Sequence, residues 1–76
     1  MYVRLSQMRE GESGIVVDIQ GGAGARQRLL GMGITPGVRV WVIKSSRPGP
    51  IIVAVGTSRI ALGRGIADKI IVRREL

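Results

Sequence analysis

Apolar residues alternate with other residues along five short stretches of the chain, and β-branched side chains dominate these stretches. They span residues 15–20, 38–43, 51–55, 60–62 and 70–72. A period of two places successive side chains on opposite faces, which is typical of a strand with one buried face. Glycine and proline lie between the stretches and indicate turns. The pattern therefore predicts about five short strands.

One face of these strands is expected to form the hydrophobic core, and the alternation alone assigns it. The predicted core residues are Ile15, Val17, Ile19, Val38, Val40, Val42, Val53, Val55, Ile60, Leu62, Ile70 and Val72. Several apolar neighbours then face outward, namely Val16, Trp41, Ile43, Ile52 and Ile71. Such residues form a binding surface if they are contiguous, or lie under loops if they are not.

Residues 23–32 lack the alternation and predict a helix. Gly33 follows them at the position where a glycine with positive φ commonly ends a helix. At 100° per residue, Ala25, Leu29 and Met32 share one face, which we assign to the core. The helix is thus expected to lie between the first long strand and the next one.

The strand count favours a small closed architecture. Five short strands in 76 residues cannot form two full sheets, whereas a bent barrel protects their edges. We therefore predict a mainly β fold, a small SH3-like barrel of about five strands with one inserted short helix, as a single domain over residues 1–76. Pro36 and Gly37 predict a type II turn with positive φ at the glycine. Gly33, Pro36 and Gly37 are accordingly predicted to be structural residues.

The amino-acid composition excludes several kinds of catalytic and metal site. The chain has no histidine and no cysteine, which excludes Ser-His-Asp and Cys-His catalysis and removes preferred zinc and iron ligands. We therefore predict no catalytic residue of either kind and no metal-binding residue. The longest apolar run, residues 51–55, is too short to span a membrane. Because residues 1–6 show no hydrophobic region typical of a signal peptide, we expect a cytoplasmic location.

The protein is strongly basic, since it has 12 Lys and Arg against 5 Asp and Glu and a net charge of +7. Such an excess favours an anionic partner. The basic residues are dispersed, however, and the pair Arg73-Arg74 is the only adjacent one. Residues 11–19 are similar to the KOW motif of nucleic-acid-binding barrels, and Trp41 could stack on a base. A barrel of this type stays an alternative function, although we expect no specific nucleic acid.

The second face of the helix carries the main candidate contact residues. Arg26 and Leu30 are four residues apart and are therefore neighbours on that face. Leu30 has no predicted core to enter, and Trp41 falls on the outward phase of its strand. An apolar anchor inside a charged rim is typical of a binding hot spot. We predict partner contacts at Arg26, Arg28, Leu30 and Trp41, with burial of Leu30 and Trp41 under loops as the alternative.

Residues 28–37 read Arg-Leu-Leu-Gly-Met-Gly-Ile-Thr-Pro-Gly, which is more specific than a generic barrel requires. With Gly14 and the pair Gly21-Gly22, this segment resembles the FeoA family, the small cytoplasmic component of bacterial ferrous iron transport. The resemblance implies an SH3-like barrel that is not an enzyme, carries no iron and no cofactor, and reaches the membrane only through its partner. That partner is FeoB, the membrane iron transporter with a cytoplasmic G-protein domain. The turn Gly63-Arg64-Gly65 departs from the family pattern.

Three functions follow from these observations. The first is an accessory protein that docks on the cytoplasmic region of FeoB and modulates iron uptake. The second is the KOW-like barrel that binds nucleic acid. The third is an activator that lends Arg26 or Arg28 to the G-protein domain of the transporter, as activating proteins do.

Overall fold

The computed structural model describes residues 1–75. Within them lie six strands, two α-helices and one 3₁₀ helix. In chain order the elements are β1 (Tyr2–Arg4), the 3₁₀ helix (Leu5–Gln7), β2 (Ser13–Ile19), α1 (Ala23–Gly31), β3 (Arg39–Ser45), β4 (Ile51–Val55), β5 (Ser58–Leu62), α2 (Arg64–Ala67) and β6 (Ile70–Arg74). None of the helices in this part of the chain is long and apolar enough to cross a membrane.

The six strands form one antiparallel sheet in the order β1-β6-β2-β3-β4-β5. Five of them are the predicted strands, and α1 lies between β2 and β3 as expected, so the mainly β class with an inserted helix is confirmed. The additional strand is β1, which pairs Tyr2 with Arg73 and Val3 with Val72. Three residues are too few to show a period of two, which explains why the alternation missed it.

The core contains side chains from five of the six strands, from both α-helices or their ends, and from the segment after β1. The buried apolar residues are Leu5, Met8, Val16, Ile19, Leu29, Ile34, Val40, Val42, Ile51, Val53, Val55, Leu62, Ala67, Ile70 and Val72. Two further predicted core residues, Val38 and Ile60, are partly buried and pack against this cluster. Each fully buried aliphatic side chain contributes about 1.5–3 kcal/mol to stability.

The alternation assigned Ile19 of β2 correctly to the core, but its assignment of Ile15 and Val17 to the core was wrong. The structure buries Val16, whereas Ile15 is half-buried and Val17 is 37% exposed. A β-bulge shifts the pairing of β2 with β6 between Val16 and Asp18. One extra residue reverses the inward phase, so that Val16 and Ile19 both face the core although they are three residues apart. The Asp18 carboxylate accepts a hydrogen bond from the backbone N–H of Ile19 at 2.9 Å within this bulge.

The core face of α1 is narrower than predicted. Leu29 is fully buried, as expected, but Ala25 is half-buried and Met32 is 38% exposed. The helix ends at Gly31, and Met32 is its C-cap with φ of −92° and ψ of 0°. A projection at 100° per residue no longer applies at the C-cap, and the assignment of Met32 to the core was therefore wrong.

A Schellman motif ends α1. The backbone N–H of Ile34 donates to the carbonyl of Leu29 and that of Gly33 donates to the carbonyl of Leu30, both at 2.9 Å. Gly33 has a φ of 83°, the positive value that this motif requires. Leu29 and Ile34 are both buried in the core cluster, as is common for the two apolar residues of such a motif.

The next four residues form the predicted type II turn. The backbone N–H of Val38 donates to the carbonyl of Thr35 at 3.1 Å, and Gly37 has a φ of 97°. Gly37 also donates to the carbonyl of Val16 at 2.7 Å, and Val16 donates to the carbonyl of Val38 at 2.8 Å. These bonds fix the turn to β2, and thereby place Pro36 beside α1.

Candidate protein-contact surface

The outward face of α1 presents an apolar side chain to solvent. Leu30 is 61% exposed, although its neighbour Leu29 is fully buried. Arg26, one helical turn earlier, is also exposed. Loops of the described chain therefore do not bury Leu30, which removes the alternative that the sequence left open for it.

A groove runs between this face and the type II turn. Its volume is about 160 Å³. The lining residues are Ile19, Arg26, Gln27, Leu30, Ile34, Thr35 and Pro36. Backbone hydrogen bonds of the Schellman motif and of the turn to β2 hold both walls, and the lining combines apolar side chains with Arg26 and Gln27.

Arg26 is only weakly engaged within the protein. Its Nη2 lies 3.9 Å from Oδ1 of Asp18, and both side chains are more than half exposed. Exposed pairs at such a distance contribute little to stability because water screens them. The guanidinium is therefore free to contact an acidic group that approaches the groove.

Arg28 is exposed on α1 but is not part of the groove lining. It lies in the last turn of the helix, where a cation interacts favourably with the negative end of the helix dipole. The structure thus brings together Arg26, Leu30 and Pro36 and leaves Arg28 outside that group.

Trp41 lies on β3, opposite Ser13 of β2 and Ala54 of β4. It is 50% exposed, so loops do not bury it either. The guanidinium carbon of Arg39 lies 5.7 Å from the centre of its ring, within the range of a cation–π contact. Arg39 also pairs with the Glu75 carboxylate at 3.0 Å. This setting makes Trp41 a second, separate exposed aromatic surface, distinct from the groove lining.

The carboxylates of Glu10 and Glu12, in the turn before β2, accept hydrogen bonds from backbone N–H groups. A carboxylate oxygen of Glu12 accepts the backbone N–H of Arg9 at 2.7 Å, and one of Glu10 accepts that of Ser45 at 3.1 Å. Residues 1–75 contain no group of three or more acidic, histidine or cysteine side chains that could hold a metal ion. The Glu12 carboxylate thus stabilises the turn itself, and the Glu10 carboxylate connects the turn to β3.

Four residues of the groove lining were predicted neither as contact residues nor as turn residues, namely Ile19, Gln27, Ile34 and Thr35. Ile19 was predicted as a core residue and not as part of a surface, and Ile34 is part of the core because of the Schellman motif. The Gly33 signal could have located Ile34, since an apolar residue commonly follows the glycine of that motif. Gln27 carries no comparable signal.

Comparisons with known proteins agree with this description. A model of the FeoA domain family matches residues 3–74. A candidate Fe(2+) transport protein A of Methanocaldococcus jannaschii is 47% identical over 68 residues, which cover 90% of this chain and 82% of that protein. The sequence similarity therefore extends through nearly all of the elements described above.

Two solved structures share the fold. The crystal structure of an iron uptake regulatory protein, FeoA, is 49% identical with a TM-score of 0.93 and 99% coverage of both chains. FeoA of Stenotrophomonas maltophilia, a zinc complex described as a prokaryotic SH3 domain protein, is 25% identical with a TM-score of 0.78, covering 96% of this chain and 95% of that one. The predicted SH3-like class is thus confirmed. Since the family model spans residues 3–74 and one relative is 47% identical over 90% of the chain, this protein belongs to the FeoA family.

Proposed function

We propose that this protein is a cytoplasmic, non-enzymatic accessory protein of ferrous iron transport. It docks through the α1 groove on the cytoplasmic region of the FeoB transporter and modulates iron uptake. Membership of the FeoA family supports the link to iron transport, and the relatives named above are described as iron transport or iron uptake proteins.

The observation that carries the docking site is the exposure of Leu30 inside a groove with fixed walls. Water solvates an exposed leucine poorly, and a partner that covers it gains free energy from the burial. The surrounding rim supplies Arg26, so the partner surface is expected to combine an apolar pocket with an acidic residue. The net charge of +7 favours approach to such a surface.

The test is a binding titration of this protein with the purified cytoplasmic region of the transporter. Leu30→Asp places a charge where the partner must exclude water, and we expect binding to weaken at least about tenfold. Because Leu30 is largely exposed, the variant should keep the circular dichroism spectrum and melting temperature of the parent protein.

Tyr2→Asp is the matched control. Tyr2 is 66% exposed on β1 and is not part of the groove, so this change adds the same charge at a similar exposure elsewhere. Binding that falls equally in both variants would show a charge effect rather than a groove contact. A folded Leu30→Asp protein with full affinity places the contact outside the groove, and Trp41→Ala then tests the second exposed surface.

The same preparation separates the other two functions that the sequence allowed. An activator would raise GTP turnover by the transporter's G-protein domain, and Arg26→Ala or Arg28→Ala would remove that increase. A nucleic-acid-binding barrel would retain nanomolar affinity for a DNA or RNA strand at physiological salt. Dispersed positive charge alone gives weak binding that declines steeply as salt rises.

A further inference from the structure

A second concavity lies between the 3₁₀ helix, the end of β3 and the start of α2. Its volume is about 490 Å³, and it shares no residue with the α1 groove. The polar lining that matters here is Ser6, Arg9, Glu10, Ser45, Arg47 and Arg64. We propose that this arginine pocket binds a phosphate group.

Arg64 is half-buried in the pocket wall without a negative partner. Its Nη2 donates to the Ser45 hydroxyl at 3.2 Å, and its Nη1 donates to the backbone carbonyl of Ser6 at 3.5 Å. Both acceptors are neutral. Among residues 1–75, the Nε of Arg64 is the one buried side-chain nitrogen or oxygen that has no hydrogen-bond partner. The positive charge is therefore held in place but not compensated.

Partly buried Arg74 does have an acidic partner, since it lies 3.5 Å from a carboxylate oxygen of Glu12, and exposed Arg39 lies 3.0 Å from one of Glu75. Arg4 is also partly buried and, like Arg64, donates to neutral oxygens, but Arg64 alone of the described residues has a buried Nε without a hydrogen-bond partner. Partly buried charges are ordinarily paired in this way, because an uncompensated charge loses hydration without a replacement. Within the described chain no carboxylate lies within 4.0 Å of Arg64.

Two more arginines add to the charge of the pocket. Arg9 and Arg47 line it and are exposed, and neither forms an ion pair within residues 1–75. Glu10 is the one acidic residue of the lining, and the backbone N–H of Ser45 engages its carboxylate. Three arginines against one glutamate leave a net charge of two positive units, which matches a phosphate dianion.

The donors identify the chemical class of the ligand. The guanidinium group presents several N–H donors in a plane, and this geometry suits the oxygens of a phosphate. The Ser45 hydroxyl accepts from Arg64 and can donate its own proton to the same oxygens, whereas the Ser6 hydroxyl already donates to Oδ1 of Asp68. The volume exceeds that of inorganic phosphate, so the phosphate group of a small metabolite or of a lipid headgroup also fits.

The test is a titration of the protein with inorganic phosphate at constant ionic strength, followed by two-dimensional NMR. The Nε–H signal of Arg64 is the reporter, because this atom is buried in the pocket wall and has no hydrogen-bond partner in the protein. We expect saturable shifts of this signal and of the amide of Ser45. Shifts that do not saturate would overturn the proposal, because they indicate general screening.

Variants assign the binding to the arginine pocket. Arg47→Ser removes one pocket charge from an exposed side chain, and we expect affinity for phosphate to fall about tenfold. Arg59→Ser is the matched control, since Arg59 is exposed on β5 and does not line the pocket. An equal loss in both variants would overturn the assignment. Arg64→Lys keeps the charge but removes the planar donors, and should also weaken binding if the variant folds.

A second arm identifies the source of the phosphate group. Vesicles of phosphatidylglycerol in phosphatidylcholine are sedimented with the parent protein and with Arg47→Ser. Sedimentation that requires Arg47 assigns the pocket to a lipid headgroup. Saturable binding of free phosphate without vesicle binding assigns it to a soluble phosphate. Failure of both overturns the proposal, and neither result depends on the transporter or on the α1 groove.

Discussion

Gly14 in β2 and Gly37 in the turn after α1 are both positions that require glycine, but for opposite reasons. A Cβ at Gly14 would overlap Cγ1 of Val72 and lie 2.6 Å from the carbonyl oxygen of Arg73. A Cβ at Gly37 would have no atom within 4 Å, yet its φ of 97° is unfavourable for a residue with a side chain. Gly14 is therefore required because β2 has no space for a side chain there, and Gly37 because the turn requires a positive φ.

This difference explains which features the sequence reveals. The demand at Gly37 is local, because Pro36 before it already indicates the turn. The demand at Gly14 comes from β6, more than fifty positions later in the chain, since Gly14 pairs with Arg74. A local pattern therefore predicts the turn, whereas only the assembled sheet shows why β2 needs a glycine.

The largest effect is expected from Gly14→Ala. The added methyl group meets a backbone carbonyl that cannot move without disturbing the β2–β6 pairing, so the free energy of unfolding should fall by about 3 kcal/mol. Urea denaturation measures this. Gly24→Ala is the control, since it adds the same group inside α1 with no atom within 4 Å, and should raise stability by about 0.5–1 kcal/mol. Equal stability of Gly14→Ala and the parent protein would contradict the close approach of the two strands.

The next effect concerns the bulge of β2. Val16→Ala removes two methyl groups from the core and should lower the free energy of unfolding by about 2 kcal/mol. Val17→Ala changes an exposed side chain and should lower it by less than about 0.5 kcal/mol. Thermal unfolding of both variants measures the difference. If Val17→Ala lost more stability than Val16→Ala, Val17 rather than Val16 would face the core, and the β-bulge would be contradicted.

The same contrast sets the limits of prediction for the whole molecule. The alternation located five strands, and the glycine and proline signals located the end of α1 and the type II turn. The bulge at Val16 and Asp18 was missed because it depends on register with β6, and β1 because it is three residues long. In the candidate site, Arg26 and Leu30 were accessible to prediction because they share one helix face.

The arginine pocket was beyond prediction for another reason. Its residues come from the 3₁₀ helix region, from β3 and the loop after it, and from α2. No spacing along the chain brings such distant segments together. The charge count showed an excess of basic residues but not their convergence on one concavity, which depends on how the sheet folds.

The smallest effect is expected at Gly37, and it sharpens the comparison with Gly14. Gly37→Val should lower the free energy of unfolding by about 1–2 kcal/mol, because a β-branched residue is strained at positive φ. Gly37→Asn should lower it by less, since asparagine tolerates this position of a type II turn. At Gly14 we expect asparagine to give no such relief. Gly14→Asn should lower the free energy of unfolding more than Gly14→Ala, because asparagine is larger than alanine and the space beside Gly14 is limited. Chemical denaturation of Gly37→Val, Gly37→Asn and Gly14→Asn therefore separates the two causes. If Gly37→Asn were as unstable as Gly37→Val, volume rather than backbone angle would govern the turn, and the two glycines would serve one purpose after all.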